Sequence, residues 1–353
     1  MSAATPLARR ENNFDALRLV AAVSVIFSHS FLIADGNENG EPLIWLTGRQ
    51  SILGLAGVFV FFAISGFLVS QSWDQTRAAL PFLAKRCLRI FPGLLLALLL
   101  SAFVLAPLVS TLPLAEYLYR TEPYRYVLSN MELSVKVHEL PGVLFVDNPV
   151  GLEINGSLWT LRYEFMMYLM VLGLGITRLL QFGPALVLLL LGMGCVYFPA
   201  LDWLGGWGWM LSFFASGMVL YQLRDSRIFD GRVALAALAL LVASIPLRQF
   251  ILLFPFTGCY LALYLALNPR LPKLRAARYG DLSYGLYIYG WPAEALVIYL
   301  RGGHGAWWQV CFPALAIAAA LAFISWHLVE APALRLKPRN RRPAATAALE
   351  AGD

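Results

Sequence analysis

Apolar residues in this chain come in runs of about twenty, the length that carries a helix across a bilayer, rather than in the spacing of a one-faced surface helix. Runs at 14–34, 51–71, 89–110, 157–177, 181–200, 207–222, 232–247, 250–267, 282–300 and 308–329 predict about ten transmembrane helices. Segments 207–222 and 232–247 are short for a crossing. The expected fold class is all-α, a polytopic membrane helical bundle. An even number of crossings puts both termini on one side.

The basic residues between the runs orient the bundle. With a cytoplasmic N-terminus, 20 of the 27 Lys and Arg fall on the inner side, 6 on the outer side, and Arg162 lies within a run. Such a bias favours cytoplasmic termini. It also accounts for the net charge of +6 without a nucleic-acid partner. Residues 1–336 form the expected transmembrane domain. Residues 337–353 read as a basic, then Ala-rich cytoplasmic tail, expected to be disordered. The connection from Thr111 to Gly156, with six acidic residues and several aromatics, is expected outside as an ordered lid.

Composition agrees: 59% of residues are hydrophobic and 14% charged, against about 25% charged in soluble domains. The polar start, Met1 to Asn13, does not read as a cleavable leader. Cys87, Cys195, Cys259 and Cys311 match no metal motif and no disulfide framework, and read as packing residues. No bound cofactor and no metal are expected.

The candidate chemistry lies in polar residues inside apolar runs. A charge at the bilayer centre costs ~2.5 kcal/mol or more, so such residues point to function. Arg18 and His29 share the first run. Their separation is almost three helical turns, which places both on one face ~16 Å apart, with Ala22 and Val25 between them. The second run contains Phe61-Phe62-Ala63-Ile64-Ser65-Gly66-Phe67, where Ser65 and Gly66 serve either close helix packing or substrate contact. Arg86 and Arg89 share a helix face and serve either as inner anchors or as a phosphate clamp. The fourth run opens Ser157-Leu158-Trp159-Thr160-Leu161-Arg162-Tyr163-Glu164. Arg162 and Glu164 do not face each other, so each needs another partner, and both lie at a depth similar to that of His29. Ser283 to Pro292 carries Tyr284 and Tyr287 in the ninth run. Glu330, at the end of the tenth, reads as an ion-pair partner of the inner arginines.

Together these segments resemble the acyltransferase-3 family of integral membrane acyltransferases. Arg18 and His29 match its arginine–ten residues–histidine signature, and Phe61 to Phe67 its Phe-Phe-x-x-Ser-Gly-Phe segment. Arg86 and Arg89 match its Arg-x-x-Arg, and Ser157 to Glu164 its Ser-Leu-Trp-Thr-Leu-x-x-Glu. Ser283 to Pro292 and Val329 to Pro332 match its last two signatures. The motifs occur in the family's order across nearly the whole chain. Gly290 stands where many members have a histidine, which leaves more of the chemistry to His29. The soluble outer hydrolase-like domain of some larger members is missing, so a second transfer step of that kind would need another protein.

The resemblance implies an enzyme of the inner (plasma) membrane that moves an acyl group, usually acetyl, from acetyl-CoA as co-substrate to a hydroxyl of an envelope or secreted glycan. The lipid bilayer, an acyl-CoA donor, a carbohydrate acceptor and glycan-assembly proteins are the expected partners. His29, Arg18, Glu164 and Arg162 are the catalytic candidates. His29 would take the acceptor proton or relay the acyl group, Glu164 would orient the imidazole, and Arg162 would stabilise developing negative charge. Arg86, Arg89 and Ser65 would hold the donor, and Trp159, Tyr284, Tyr287 and Glu330 would line the cavity. Direct and two-step transfer both remain open. The alternatives are a flippase or transporter for a glycan or lipid-linked sugar, and a membrane sensor with His29 as a pH switch.

Overall fold

Long apolar segments without water satisfy their backbone groups internally, and helices do so residue by residue. The structure, a computed structural model, describes residues 12–134, 137, 139–143, 153–198 and 206–338. It contains helices and no strand among the described residues. Its main helices are α1 (Phe14–Asp35), α2 (Leu53–Thr76), α3 (Ala79–Leu100), α4 (Trp159–Ile176), α5 (Phe182–Tyr197), α6 (Trp207–Gln222), α7 (Gly231–Ser244), α8 (Gly258–Leu267), α9 (Ser283–Leu300) and α10 (Trp307–Ser325). Helix α3 continues through a π-helical turn, Ser101–Leu105, to Val109, and α10 through another, Trp326–Glu330, to Arg335. Four segments are long and apolar enough to cross a membrane: Phe14–Asp35, Leu53–Thr76, Ala79–Val109 and Trp307–Arg335. Shorter apolar helices, among them α5, α7 and α8, accompany them.

Helix α1 packs against α2, α9 and α10, while α2 also packs along α6. Small residues bring these backbones together. A Cβ built on Gly66 of α2 would stand 2.0 Å from the Phe214 carbonyl oxygen, and one on Gly217 of α6 would stand 1.9 Å from that of Ala63. Glycine is therefore required at both positions of this crossing. Gly66 thus takes the packing role, while its neighbour Ser65 faces the other way, into a cavity.

Two boundaries depart from the sequence expectation. The third apolar run begins ten residues early, at Ala79, because Pro81 falls in the first turn, where its missing N–H costs nothing. Arg86 and Arg89 consequently lie well inside α3 instead of at its mouth. The run 250–267 is broken: one turn, Phe250–Leu253, precedes α8, and the chain turns at Phe254–Thr257. Pro255 cannot continue the helical ladder, and its carbonyl accepts the Ser216 hydroxyl.

In the connection between α3 and α4, Leu114–Tyr119 and Glu122–Met131 are helical, and the second packs against α3. Tyr117 donates to the Ala102 carbonyl at 2.7 Å, inside the π-helical turn. The four cysteines are free thiols. His138, Lys136, the arginines before Asn12 and the tail from Arg339 onward lie outside the described residues.

Candidate active site

Helices α1, α2, α3, α4 and α9, with the end of α10, enclose a cavity of about 380 Å³. Its wall at one end is cationic: Arg18, Lys85, Arg86, Arg89 and Lys337 all line it. Asp281, just before α9, bridges two of these, with Oδ2 2.7 Å from Arg89 Nη2 and 3.3 Å from Arg18 Nη2. Arg18 also pairs with Asp15 one turn earlier on its own helix. Burial works against the Asp281 carboxylate, but Arg89, Arg18 and a hydrogen bond from Ser283 outweigh it and hold the group below the usual carboxylate range. Arg86 has no carboxylate partner among the described salt bridges. It donates to Ser72 Oγ at 3.2 Å and lies 5.6 Å from the Tyr168 ring centre, while its buried Nε makes no hydrogen bond. Burial and then the neighbouring cations Arg86, Arg89 and Lys85 push the Lys337 ammonium down to about 8. A group of cations this close calls for an anion.

Toward its other end the cavity is lined by Val58, Phe61, Ser65, Thr160, Glu164 and Tyr287. Thr160, Glu164 and Tyr168 recur every four residues and form the inward stripe of α4. The Tyr168 hydroxyl donates to Glu164 Oε1, and Ser65 Oγ approaches the same oxygen at 3.3 Å. Tyr287 and Thr160 share a hydrogen bond of 2.6 Å, and Phe61 lies 5.9 Å from the Tyr287 ring. Tyr284 is fixed by a hydrogen bond to the Ile90 carbonyl at 2.8 Å.

His29 lies beyond that end and does not line the cavity. One turn past Tyr287, ~6 Å along α9, the Trp291 ring stands edge-on to the imidazole, 5.0 Å between centres. A further turn on, Glu294 presents Oε2 3.7 Å from His29 Nδ1. Ser30 Oγ donates to the other carboxylate oxygen at 2.6 Å. Helix α9 thus runs as a single post from the cation cluster at Asp281, past the cavity's narrow end, to His29.

Several expected placements need correcting. Glu164 belongs to the cavity, with Tyr168 and Ser65 as its partners, and the carboxylate beside His29 is Glu294. Arg162 is exposed, and Trp159 is 40% exposed against Tyr163. Neither lines the cavity: Arg162, two positions from both Thr160 and Glu164, faces the opposite side of α4, and Trp159 lies off the Thr160–Glu164–Tyr168 stripe. The expected single cavity holding His29, Arg162 and Glu164 is therefore not formed. Glu330 is buried and accepts from Ser325 at 2.8 Å, while Asp281 is the carboxylate that pairs with the inner arginines. Sequence reading passed over Glu294, Asp281, Tyr168 and Lys337. Glu294 carried the same signal as His29, an ionisable residue within an apolar run.

Comparison with known proteins agrees with an acyl-transfer site. A family model for an acyltransferase domain matches residues 11–327. The chain is similar to an O-acetyl transferase of Shigella phage Sf6, 29% identical over 345 residues, covering 91% of this chain and 95% of the relative. It is also similar to nodulation protein 10 of Rhizobium leguminosarum bv. viciae, 30% identical over 356 residues, covering 92% and 94%. No solved structure matches it significantly.

Proposed function

The chain belongs to the acyltransferase-3 family and is an acyltransferase, and from that premise we propose that it transfers acetyl from cytoplasmic acetyl-CoA to a hydroxyl of an envelope or secreted glycan. The observation that carries this reading is the cavity with a cationic mouth that ends one helical turn short of a half-buried histidine. Arg86, Arg89, Lys85 and Lys337 offer the anionic phosphates of a CoA donor both charge and directed hydrogen bonds. The lining of Val58, Phe61 and Tyr287 suits the narrower, uncharged arm that carries the thioester.

Arg18 and Arg89 share Asp281. A donor phosphate would compete with that carboxylate, which confines strong anion binding to a ligand that also fills the arm. At the far end His29 takes the acceptor's proton as its hydroxyl oxygen attacks the thioester carbonyl. The carbon–sulfur bond breaks, and the leaving CoA thiolate takes the proton back from the His29 imidazolium, which restores the neutral imidazole; CoA then departs through the cationic mouth. In the two-step version the imidazole accepts the acetyl group first and passes it on. The phage relative, an O-acetyl transferase, supports acetyl as the group and oxygen as the acceptor atom.

The basic asymmetry supports about ten crossings in the inner membrane, with both termini and the cavity mouth cytoplasmic. Membranes containing the protein, incubated with acetyl-labelled acetyl-CoA, should deposit base-labile label on glycan. Movement of glycan across the membrane with no label incorporated would overturn the assignment in favour of a flippase.

A further inference from the structure

The imidazole of a transfer residue must hold one ring nitrogen in the acceptor form and keep it aimed, and that depends on what binds the other nitrogen. We propose that Glu294 is the positioning residue for His29: its carboxylate accepts the proton on Nδ1, so that Nε2 carries the lone pair used in transfer. The proposal rests on the reading of His29 given above.

Glu294 is the one acidic residue of α9 and is fully buried. Ser30 binds its Oε1 and so fixes the carboxylate plane. Oε2 and His29 Nδ1 are both buried, neither has a hydrogen-bond partner among the described residues, and they face each other at 3.7 Å. A small side-chain rotation closes that gap to a hydrogen bond, as loosely set active-site contacts do on substrate binding. Trp291 stands edge-on to the ring and limits how it can turn.

The close approach of α1 and α9 has an identifiable cause. Gly290 and Glu294 lie one turn apart on the same face of α9. A Cβ at Gly290 would stand 2.7 Å from Ile26 Cγ1, so the missing side chain lets α1 settle against α9. Ile26 and Ser30, one turn apart on α1, then meet Gly290 and Glu294 respectively. Glycine at position 290 thus brings the carboxylate at 294 within reach of His29.

Two substitutions separate an acceptor role from mere packing. Glu294→Gln keeps an acceptor oxygen, whereas Glu294→Met has similar length and none. The full chain, labelled with ¹⁵N-histidine and held in lipid nanodiscs, reports the tautomer directly, and His29→Gln identifies the His29 resonance. The native protein and Glu294→Gln should show the Nδ1–H form; Glu294→Met should move toward Nε2–H. Glu38, the carboxylate in the outer loop near His29, is the control: Glu38→Gln should leave the tautomer unchanged.

In the acetyl-CoA labelling assay, Glu294→Met should lose about 100-fold in kcat, with KM for acetyl-CoA unchanged, and Glu294→Gln about tenfold or less. A native tautomer in Glu294→Met, or a kcat within about threefold of native, would overturn the proposal. Should Glu294→Met not accumulate, Ser30→Ala tests the same link, and an unchanged kcat there counts against it. Full turnover in His29→Gln would instead strike at the function assigned to His29, and the tautomer measurements distinguish that failure from this one.

Discussion

Single side chains separate donor binding from chemistry. His29→Gln keeps hydrogen bonding but cannot take a proton, and acid–base assistance is worth ~10²–10⁴-fold. Acetyl transfer by His29→Gln should therefore fall by that factor while expression and membrane insertion persist, read from label incorporation against protein amount. Arg86 has a different task. Replacing it with Ala should weaken acetyl-CoA binding by about 1–3 kcal/mol, the worth of a charged hydrogen bond, and Lys should restore only part, because it cannot grip a phosphate in two places. A binding titration of the folded variants reads both. Lys337 sets a pH dependence. Its ammonium is pushed down to about 8 by burial and by Arg86, Arg89 and Lys85, and a bound phosphate favours the protonated form. Donor affinity should thus be full below that value and decline as pH rises through it, and Lys337→Met should flatten the profile between about pH 7 and 9.

Helices place these side chains through their rotation and their closeness. On α4 a four-residue stripe turns Thr160, Glu164 and Tyr168 inward, and the same geometry turns Arg162 out. The α2–α6 crossing depends on Gly66 and Gly217, each against a carbonyl of the other helix. Gly217→Val should force those helices apart and destabilise the fold by about 1–3 kcal/mol or more, as overpacking does. Since Ser65 lies beside Gly66 on the cavity side, the thermal midpoint and donor affinity should fall together. The π-helical turn Trp326–Glu330 precedes the short helix whose exit brings Leu334 and Lys337 to the cavity wall. π-bulges commonly serve such re-aiming at functional sites.

Across the whole molecule, the proposed orientation sets the two ends of the reaction on opposite sides. Argued from the 20 to 6 distribution of Lys and Arg, it has the termini and the cation cluster inside and the connection Thr111–Gly156 outside. Reporters of compartment fused at Leu336 and at Tyr124 should give opposite signals, and matching signals would refute the orientation. With that orientation α9 spans the route from donor phosphates to acceptor hydroxyl, with Asp281 at one end and Glu294 toward the other. The Tyr287–Thr160 pair stands between them, so the thioester must reach past it to meet His29.

The helical class, four long apolar spans and the presence of His29 and Arg18 on one helix were legible in the order of residues, because bilayer thickness and a 3.6-residue period act along the chain. The same local rules foretold that Arg162, which is exposed, and Glu164 do not face each other, so that Glu164 meets partners other than Arg162. They could not say which partners, since contacts between α1 and α9 or between α2 and α4 join residues far apart in sequence. The start of α3 at Ala79 and the break at Pro255 also depended on how proline was accommodated among neighbours. Only the tertiary structure gave His29 its carboxylate. Glu294 is 265 positions away from it, and it comes within reach because Gly290 leaves room for Ile26 and lets two helices close.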